Sequence, residues 1–467
     1  TYVFTSHVCC FFFLMLRRPP RSTQSRSSAA SDVYKRQRLD PVPLDHPESM
    51  TSLAQRAPNL IGERPRPPEE VFAQFTNVLA TSVISVDSPR YLSFIPAAPT
   101  KASLMFDMVV SASSLNATSW LDASGAVHAE NQALAVLAAE MGMPVSAGGC
   151  FVSGGSAGNL SALAVARDAA RRRLGDARAA TSIVCSDQAH SSVSNTAHLL
   201  DVDVITVPTV GGRLTGRELA AVVSRLEQPK RVMAVVATAG TTNLGIVDEL
   251  DAIADVAAAH GWWFHVDGAY GAAARLAPSA RSRFDGIERC DSMVVDPHKW
   301  LFAPFDCAAL LYREPAVAAA THAQHAGYLD VLHDTGDPSD VGWNPADYAH
   351  HLTRRARGLA LWFSLAVHGL GAYRDAIEAA LSLARWTADR GREAPHLDLV
   401  IEPQLSVVAF TRSGWNAGDY QRFSDQLLAD QVGFVVPSNH NAKPILRCAC
   451  LHPGTTTGLV AEVRDRL

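Results

Sequence analysis

Four stretches of the chain carry residue types that could do chemistry. A lysine stands in Asp296-Pro297-His298-Lys299-Trp300, between the apolar runs Met293-Val294-Val295 and Leu301-Phe302-Ala303. It is either a turn lysine at the surface or an amine in a desolvated pocket, and the pentapeptide alone leaves both open. Desolvation lowers a lysine pKa because it disfavours the charged form. A neutral amine can then attack a carbonyl and form a Schiff base. Asp267 ends an apolar run in His265-Val266-Asp267-Gly268-Ala269-Tyr270. It could cap a helix, or hold a ring nitrogen protonated. His190, in Ser186-Asp187-Gln188-Ala189-His190-Ser191-Ser192, could be a cap, a core residue or a ring stacked on a planar cofactor. Gly154-Gly155-Ser156-Ala157-Gly158-Asn159 opens a helical pattern. Such an entry can be a simple tight turn, or a place where backbone N–H groups meet a phosphate. No Gly-Lys-Ser/Thr follows it, so it is not a P-loop.

The elements that must position these residues alternate. Short apolar runs at 183–185, 204–207, 232–236, 263–266 and 293–295 read as strands. Helical patterns at 157–174, 215–226 and 248–260 lie between them. The second opens on a capping box, Thr215 and Glu218, and the third stops at Gly261, a C-cap signal. Alternation of this kind predicts a mostly parallel sheet covered on both faces, with ligands beyond the carboxyl ends of the strands. All the candidate residues from His190 onward follow a predicted strand. Helices are also predicted at 68–83, 100–114, 127–141 and 372–390. The pattern changes after 371, and residues 372–467 read as a smaller α+β domain. The division is therefore 38–99 as a helical and extended segment, 100–371 as the large domain and 372–467 as the small one.

Residues 1–37 look foreign to the rest. Their apolar core, Val8 to Leu16, is too short to span a membrane, and its positive charges, Arg17 and Arg18, come after it rather than before. The run resembles translated sequencing-adaptor DNA, and these residues are expected to be disordered. The 467-residue chain carries a net charge of −5, which gives no electrostatic case for nucleic acid. Its eight cysteines have no zinc or disulfide spacing, which implies a reducing, cytosolic setting and no metal site.

The candidates gain weight together. An anion site, a carboxylate, a stacking imidazole and a sequestered lysine at one sheet edge are the set that pyridoxal 5'-phosphate needs. The segments DQAHSSV, ATAGTT, HVDGAYG and DPHKWLFAPFDC make the resemblance explicit. Across residues 66–467 the chain resembles the group II pyridoxal-phosphate decarboxylases, which act on aromatic amino acids, histidine, tyrosine and glutamate. That resemblance implies an aspartate-aminotransferase-like α/β fold (fold type I). It implies a lyase that decarboxylates an L-amino acid to its amine. An aldehyde synthase or a carbon–sulfur lyase on the same fold is the alternative. It also implies a homodimer with the active site at the subunit interface.

Carried over by motif, Lys299 is the Schiff-base lysine, Asp267 the partner of the ring nitrogen and His190 the stacking residue. Gly155 and Ser156, with Asp296 or His298, surround the phosphate, and Thr242 and Ala269 line the ring. Asp296 stands where asparagine is expected, which points to a turn or cap. In the family a mobile loop supplies the proton for Cα, commonly from a tyrosine. Here the loop is 326–352, with Tyr348 as first choice and Tyr328 and Trp343 as other aromatic candidates. Pro96 and Ala97 are expected near the substrate. Asn116 and Thr118 suggest a more polar pocket than an aromatic decarboxylase needs. Arg354, Arg355 and Arg357 could hold a substrate carboxylate, but are expected in helix-surface or dimer salt bridges.

Overall fold

The computed structural model describes residues 43–96, 98–332 and 343–467. The expectations for residues 1–37 and for Ala97 lie outside the described residues. The chain divides into two compact units at Ser88 and Pro89. In the first, Ser49 caps the helix Met50–Arg56. A second helix, Pro68–Gln74, passes into a π-turn at Phe75–Leu79 and stops short of the predicted end at 83.

The second unit is built on a seven-stranded sheet. Its strands are β1 (Gly148–Val152), β2 (Ser182–Ser186), β3 (Asp203–Val207), β4 (Val232–Thr238), β5 (Trp263–Asp267), β6 (Ser292–Val295) and β7 (Ala308–Tyr312). They lie in the order β1-β7-β6-β5-β4-β2-β3. Only β7 is antiparallel to its neighbours, β1 and β6. The carboxyl ends of the other six therefore share one edge, where the parallel-sheet rule places ligands. The strands β1, β2, β4, β6 and β7 are buried throughout. That is why they read as continuous apolar runs rather than alternating ones.

The helices return the chain to the start of each strand. Gly155–Leu174 packs its buried face over β4 to β7. Gly216–Val223 has Thr215 as N-cap, but the capping box is half made, because Glu218 pairs with Arg217. Leu250–His260 ends on Gly261 at φ +63°, a conformation that favours glycine. A long helix, Leu359–Arg392, runs through the expected division at 371/372, interrupted only by Gly369 at φ +70°.

A four-stranded antiparallel sheet follows, formed by β8 (Leu397–Leu399), β9 (Val407–Arg412), β10 (Pro437–His440) and β11 (Lys443–Ala449) in the order β10-β11-β9-β8. The stretch at 91–93 joins this layer. Tyr91 bridges Phe434, and Leu92 accepts from Ala449 N. Among the described residues, no helix is long and apolar enough to cross a membrane.

Candidate active site

The sheet edge gathers the candidates because each follows a strand. Lys299 lies in a single helical turn, Pro297–Trp300, directly after β6. Proline at the first position needs no N–H there. Trp300 is fully buried and stacks on Tyr270 at 5.4 Å, which anchors the turn beneath the lysine. The Lys299 Nζ lies 2.8 Å from Asp296 Oδ2. Of the described lysines, only Lys299 is sheltered; Lys101, Lys230 and Lys443 are exposed.

Asp296 is the N-cap residue of that turn, but its side chain makes no cap hydrogen bond. The expected turn-or-cap role is therefore replaced by an ionic one. Oδ2 faces Lys299 and also accepts from Gly155 N at 3.2 Å. The other oxygen, Oδ1, is buried with no hydrogen-bond partner. His298 Nε2 stands 3.5 Å from Oδ2, and Cys307 N donates to His298 Nδ1, so the neutral ring carries its proton on Nε2. Burial pushes the His298 pKa down, against the pull of Asp296.

The lysine corrects the simplest expectation. Burial does disfavour its ammonium. The charge and hydrogen bond of Asp296, helped by Asp267, outweigh that penalty, and the Lys299 pKa lies above its ordinary value. Asp296→Asn removes the ion pair and leaves the burial. The pH midpoint for capture of pyridoxal phosphate by the apoprotein should then fall. Each unit of that fall raises the neutral-amine fraction about tenfold at a given pH. Stopped-flow uptake measured from about pH 8 to 11.5, a window that spans the ordinary lysine range, checks this, and an unmoved midpoint would refute the ion-pair account.

Asp267 ends β5 and is buried. Its Oδ2 accepts from Asn159 Nδ2 at 2.9 Å and its Oδ1 from Ala269 N at 3.2 Å. Ala269 is buried beside it, and its carbonyl accepts from Asp296 N. The N-cap residue of the helix entry at Gly155 is Gly154, which has no side chain to cap it, and the Gly155 N–H is taken by Asp296 Oδ2. A Cβ on Gly155 would come within 3.0 Å of Ala269 Cβ and 3.1 Å of Asp296 Oδ2, so any larger residue would push these neighbours back. Ser156 is exposed beside it.

His190 is the N-cap of the helix Ser191–Leu200, where its Nδ1 accepts from Ser192 N. Capping does not exclude the stacking role, because the rest of the exposed ring stays available. Thr242 is exposed on the loop after β4. Buried Arg447 of β11 donates to the carbonyls of Thr242, Asn243 and Phe94 and holds that loop. The residues that sequence reasoning passed over are Asn159, Ser192 and Ser292. The visible signal was period-two spacing, which puts His265 and Asp267 on one face of β5, beside a helix whose first turn ends on Asn159.

Tyr348 is not brought to this edge. It stacks on Trp343 at 4.3 Å, and the Trp343 indole donates to Gly149 O at the start of β1. The Tyr348 carbonyl accepts from Tyr312, which pairs with Gly148 and Ser292 at the amino ends of β1 and β6. Packing in the apolar layer at that end overrides the expected role as Cα donor. Burial also pushes its phenol pKa well up. Tyr328 is 74% exposed. The segment 333–342 lies outside the described residues, and the sequence holds no tyrosine from 329 to 347.

The arginines are consumed within the chain. Arg354 makes a buried bidentate pair with Glu130, at 2.7 and 2.9 Å. Arg355 pairs with Asp107 and Arg357 with Asp306. The helix-surface expectation fails for Arg354 because its partner lies inside, on the helix Trp120–Glu140. Thr118 is buried and donates to exposed Asn116 at 2.6 Å, and Pro96 is buried.

The residues present fit pyridoxal phosphate: a sheltered amine, a buried carboxylate with oriented donors, and a glycine helix entry that a Cβ would crowd. Comparison with known proteins agrees. The model of the pyridoxal-dependent decarboxylase conserved domain matches residues 47–413. The aromatic-L-amino-acid decarboxylase of Bacillus atrophaeus is 30% identical over 422 residues, covering 87% of this chain and 86% of that protein. The L-2,4-diaminobutyrate decarboxylase of Rhizobium meliloti (strain 1021) is 35% identical over 321 residues, 66% of this chain and 62% of that one. A crystal structure of Oryza sativa TDC with PLP and tryptamine has a TM-score of 0.87 at 23% identity, covering 96% of this chain and 99% of that one. That likeness establishes the fold, the fold type I architecture with its mainly parallel large sheet. A family match over most of the chain, on a site with this donor set, makes the protein a member of the pyridoxal-dependent decarboxylase family.

Proposed function

We propose that the enzyme converts an L-amino acid to its amine and CO₂, with Lys299 as the covalent anchor of pyridoxal 5'-phosphate. The observation that carries this reading is the meeting of one sheltered lysine, one buried carboxylate and one glycine helix entry at a single sheet edge. When bound, the cofactor supplies the electron sink that lets the carboxylate carbon leave.

The chain's own residues do the rest. Asp267 accepts the proton-bearing ring nitrogen, its two oxygens already aimed by Asn159 and the Ala269 amide. The entry at Gly155 and Ser156 takes the phosphate, favoured by the positive end of the helix dipole. His298 offers its Nε2 proton at that end. His190 would cover the ring face, and Thr242 and Ala269 would line its rim. Lys299 would hold the cofactor through its amine and carry a proton beside it. Asp296 keeps that amine charged until the cofactor arrives.

Protonation of Cα divides two outcomes. Tyr328 is the remaining tyrosine of the 326–352 segment and is the proposed donor. The position of Tyr348 at the far end of the sheet favours a second reading, in which Cα goes unprotonated. Dioxygen and water are then consumed, and the products are an aldehyde, ammonia, CO₂ and hydrogen peroxide. A panel of aromatic, acidic and diamino acids, including diaminobutyrate, separates the readings. The first expects CO₂ and amine in equal amounts. Peroxide with stoichiometric ammonia would replace it with the second, and turnover without CO₂ would end both. Asn116 and Thr118 support a substrate with a polar side chain. The protein is proposed to act as a cytosolic homodimer, a setting compatible with six described cysteines that are all buried and free.

A further inference from the structure

A chain of hydrogen bonds runs behind Asp267 and continues past Asn159. Trp263 Nε1 donates to Ser292 Oγ at 2.7 Å. Ser292 Oγ lies 2.8 Å from His265 Nδ1, and His265 Nε2 lies 2.9 Å from Asn159 Oδ1. Asn159 Nδ2 then reaches both Asp267 Oδ2 and Ser192 Oγ at 2.9 Å. Ser192 Oγ lies 2.9 Å from His190 Nδ1. Register explains the meeting: His265 and Ser292 are direct partners across β5 and β6.

The protons can be assigned from the groups that cannot reverse. An indole N–H only donates, and a carboxylate only accepts. Asn159 must turn its amide nitrogen to Asp267, so its oxygen faces His265, which must carry its proton on Nε2. His265 Nδ1 is then an acceptor, and Ser292 donates to it while accepting from Trp263. At the other end, His190 Nδ1 already accepts from Ser192 N, so Ser192 donates its hydroxyl there too. Each of these groups has a single direction. Asn159, His265 and Ser292 are fully buried, so the order is costly to disturb.

We infer that Asn159 is a positioning residue that holds the Asp267 carboxylate aimed, with its own orientation locked by His265, Ser292 and Trp263. The inference rests on the pyridoxal-phosphate reading of the site. The titratable and charged groups facing this pair are His265 on the same strand, His190 on the next helix entry, and Lys299, Asp296 and His298 on the turn after β6. Burial holds the His265 pKa down, to about 4, and keeps it the neutral donor the chain requires.

Asn159→Asp tests this with almost no change of shape. The new carboxylate can still accept from His265, but it faces Asp267 with a lone pair and a charge. Once protonated, it can donate again. The dissociation constant for pyridoxal phosphate, read from visible absorbance of the reconstituted enzyme, should rise at least about tenfold over wild type at pH 8. The gap should close to about threefold or less near pH 5.5. Every other ionisable group is common to both proteins, so the ratio of variant to wild type isolates residue 159. A gap that ignores pH, or no gap in a variant with wild-type thermal stability, overturns the inference. If the wild type itself takes up no pyridoxal phosphate, the reading of the site fails instead.

Discussion

Changing Lys299 to alanine leaves a protein that loses the visible band of bound cofactor and turns over at least about 10²–10⁴-fold more slowly, the usual worth of one positioned proton-transfer group. The loss is large because nothing nearby can replace the amine. The other described lysines are exposed, and only Lys299 is held against Asp296. The fold should survive, since the turn is anchored by Trp300 against Tyr270 rather than by the lysine. Asp296 then loses its cation, and its carboxylate stays in contact with Gly155 N and His298. Weak, reversible cofactor binding through the Gly155 entry and Asp267 should persist in dialysis, without the covalent spectrum. A Lys299→Ala protein with a wild-type band would assign the anchor elsewhere.

Glu130→Gln is expected to cost about 3–5 kcal/mol of folding stability, the penalty for leaving a buried charge without its partner. Total stabilities of about 5–15 kcal/mol make that a large fraction. Both side chains of the pair are nearly inaccessible, at 1% for Arg354 and 2% for Glu130. Glu130 Oε1 also accepts from Gly358 N at 2.8 Å, and Arg354 Nη1 donates to Ala117 O at 2.8 Å. The pair therefore ties the helix Trp120–Glu140 to the entry of Leu359–Arg392 and to the strand-like stretch at 116–118. Burial alone would lower the Arg354 pKa, but Glu130 reverses this and holds it above the ordinary value. Glutamine keeps the shape and the contact with Gly358 while removing the countercharge. Urea unfolding at neutral pH measures the loss. A double variant, Glu130→Gln with Arg354→Met, should recover much of it, because no unpaired charge remains. A single variant as stable as wild type would show that the pair is solvated after all.

The part of the site legible in the sequence is the part that follows from local rules. Asp267, Lys299 and His190 each come straight after an apolar run, and strand ends in a parallel sheet are where ligands bind. Gly155 and Ser156 were visible as a helix entry. Asn159 was not, because its meaning depends on a helix packing across β5 and β6 and on a register pairing His265 with Ser292. Asp296 misled for a similar reason. Local rules make an aspartate before proline and a helical turn into a cap, yet its side chain turns back to an amine three residues on. Tyr348 misled in the opposite sense. A tyrosine in a loop looks available, and only packing against Trp343 and Tyr312 takes it to the other end of the sheet. The antiparallel β7 was also hidden, since a five-residue apolar strand carries no sign of its direction.

The central claim is that Lys299 carries the cofactor. Reducing the pyridoxal-phosphate-loaded protein with borohydride makes that bond permanent, and peptide mass mapping then locates it. The account expects one modified residue, Lys299, in the peptide containing Asp296-Pro297-His298, at close to one cofactor per chain. A modification on Lys101, Lys230 or Lys443 with Lys299 unmodified would contradict it.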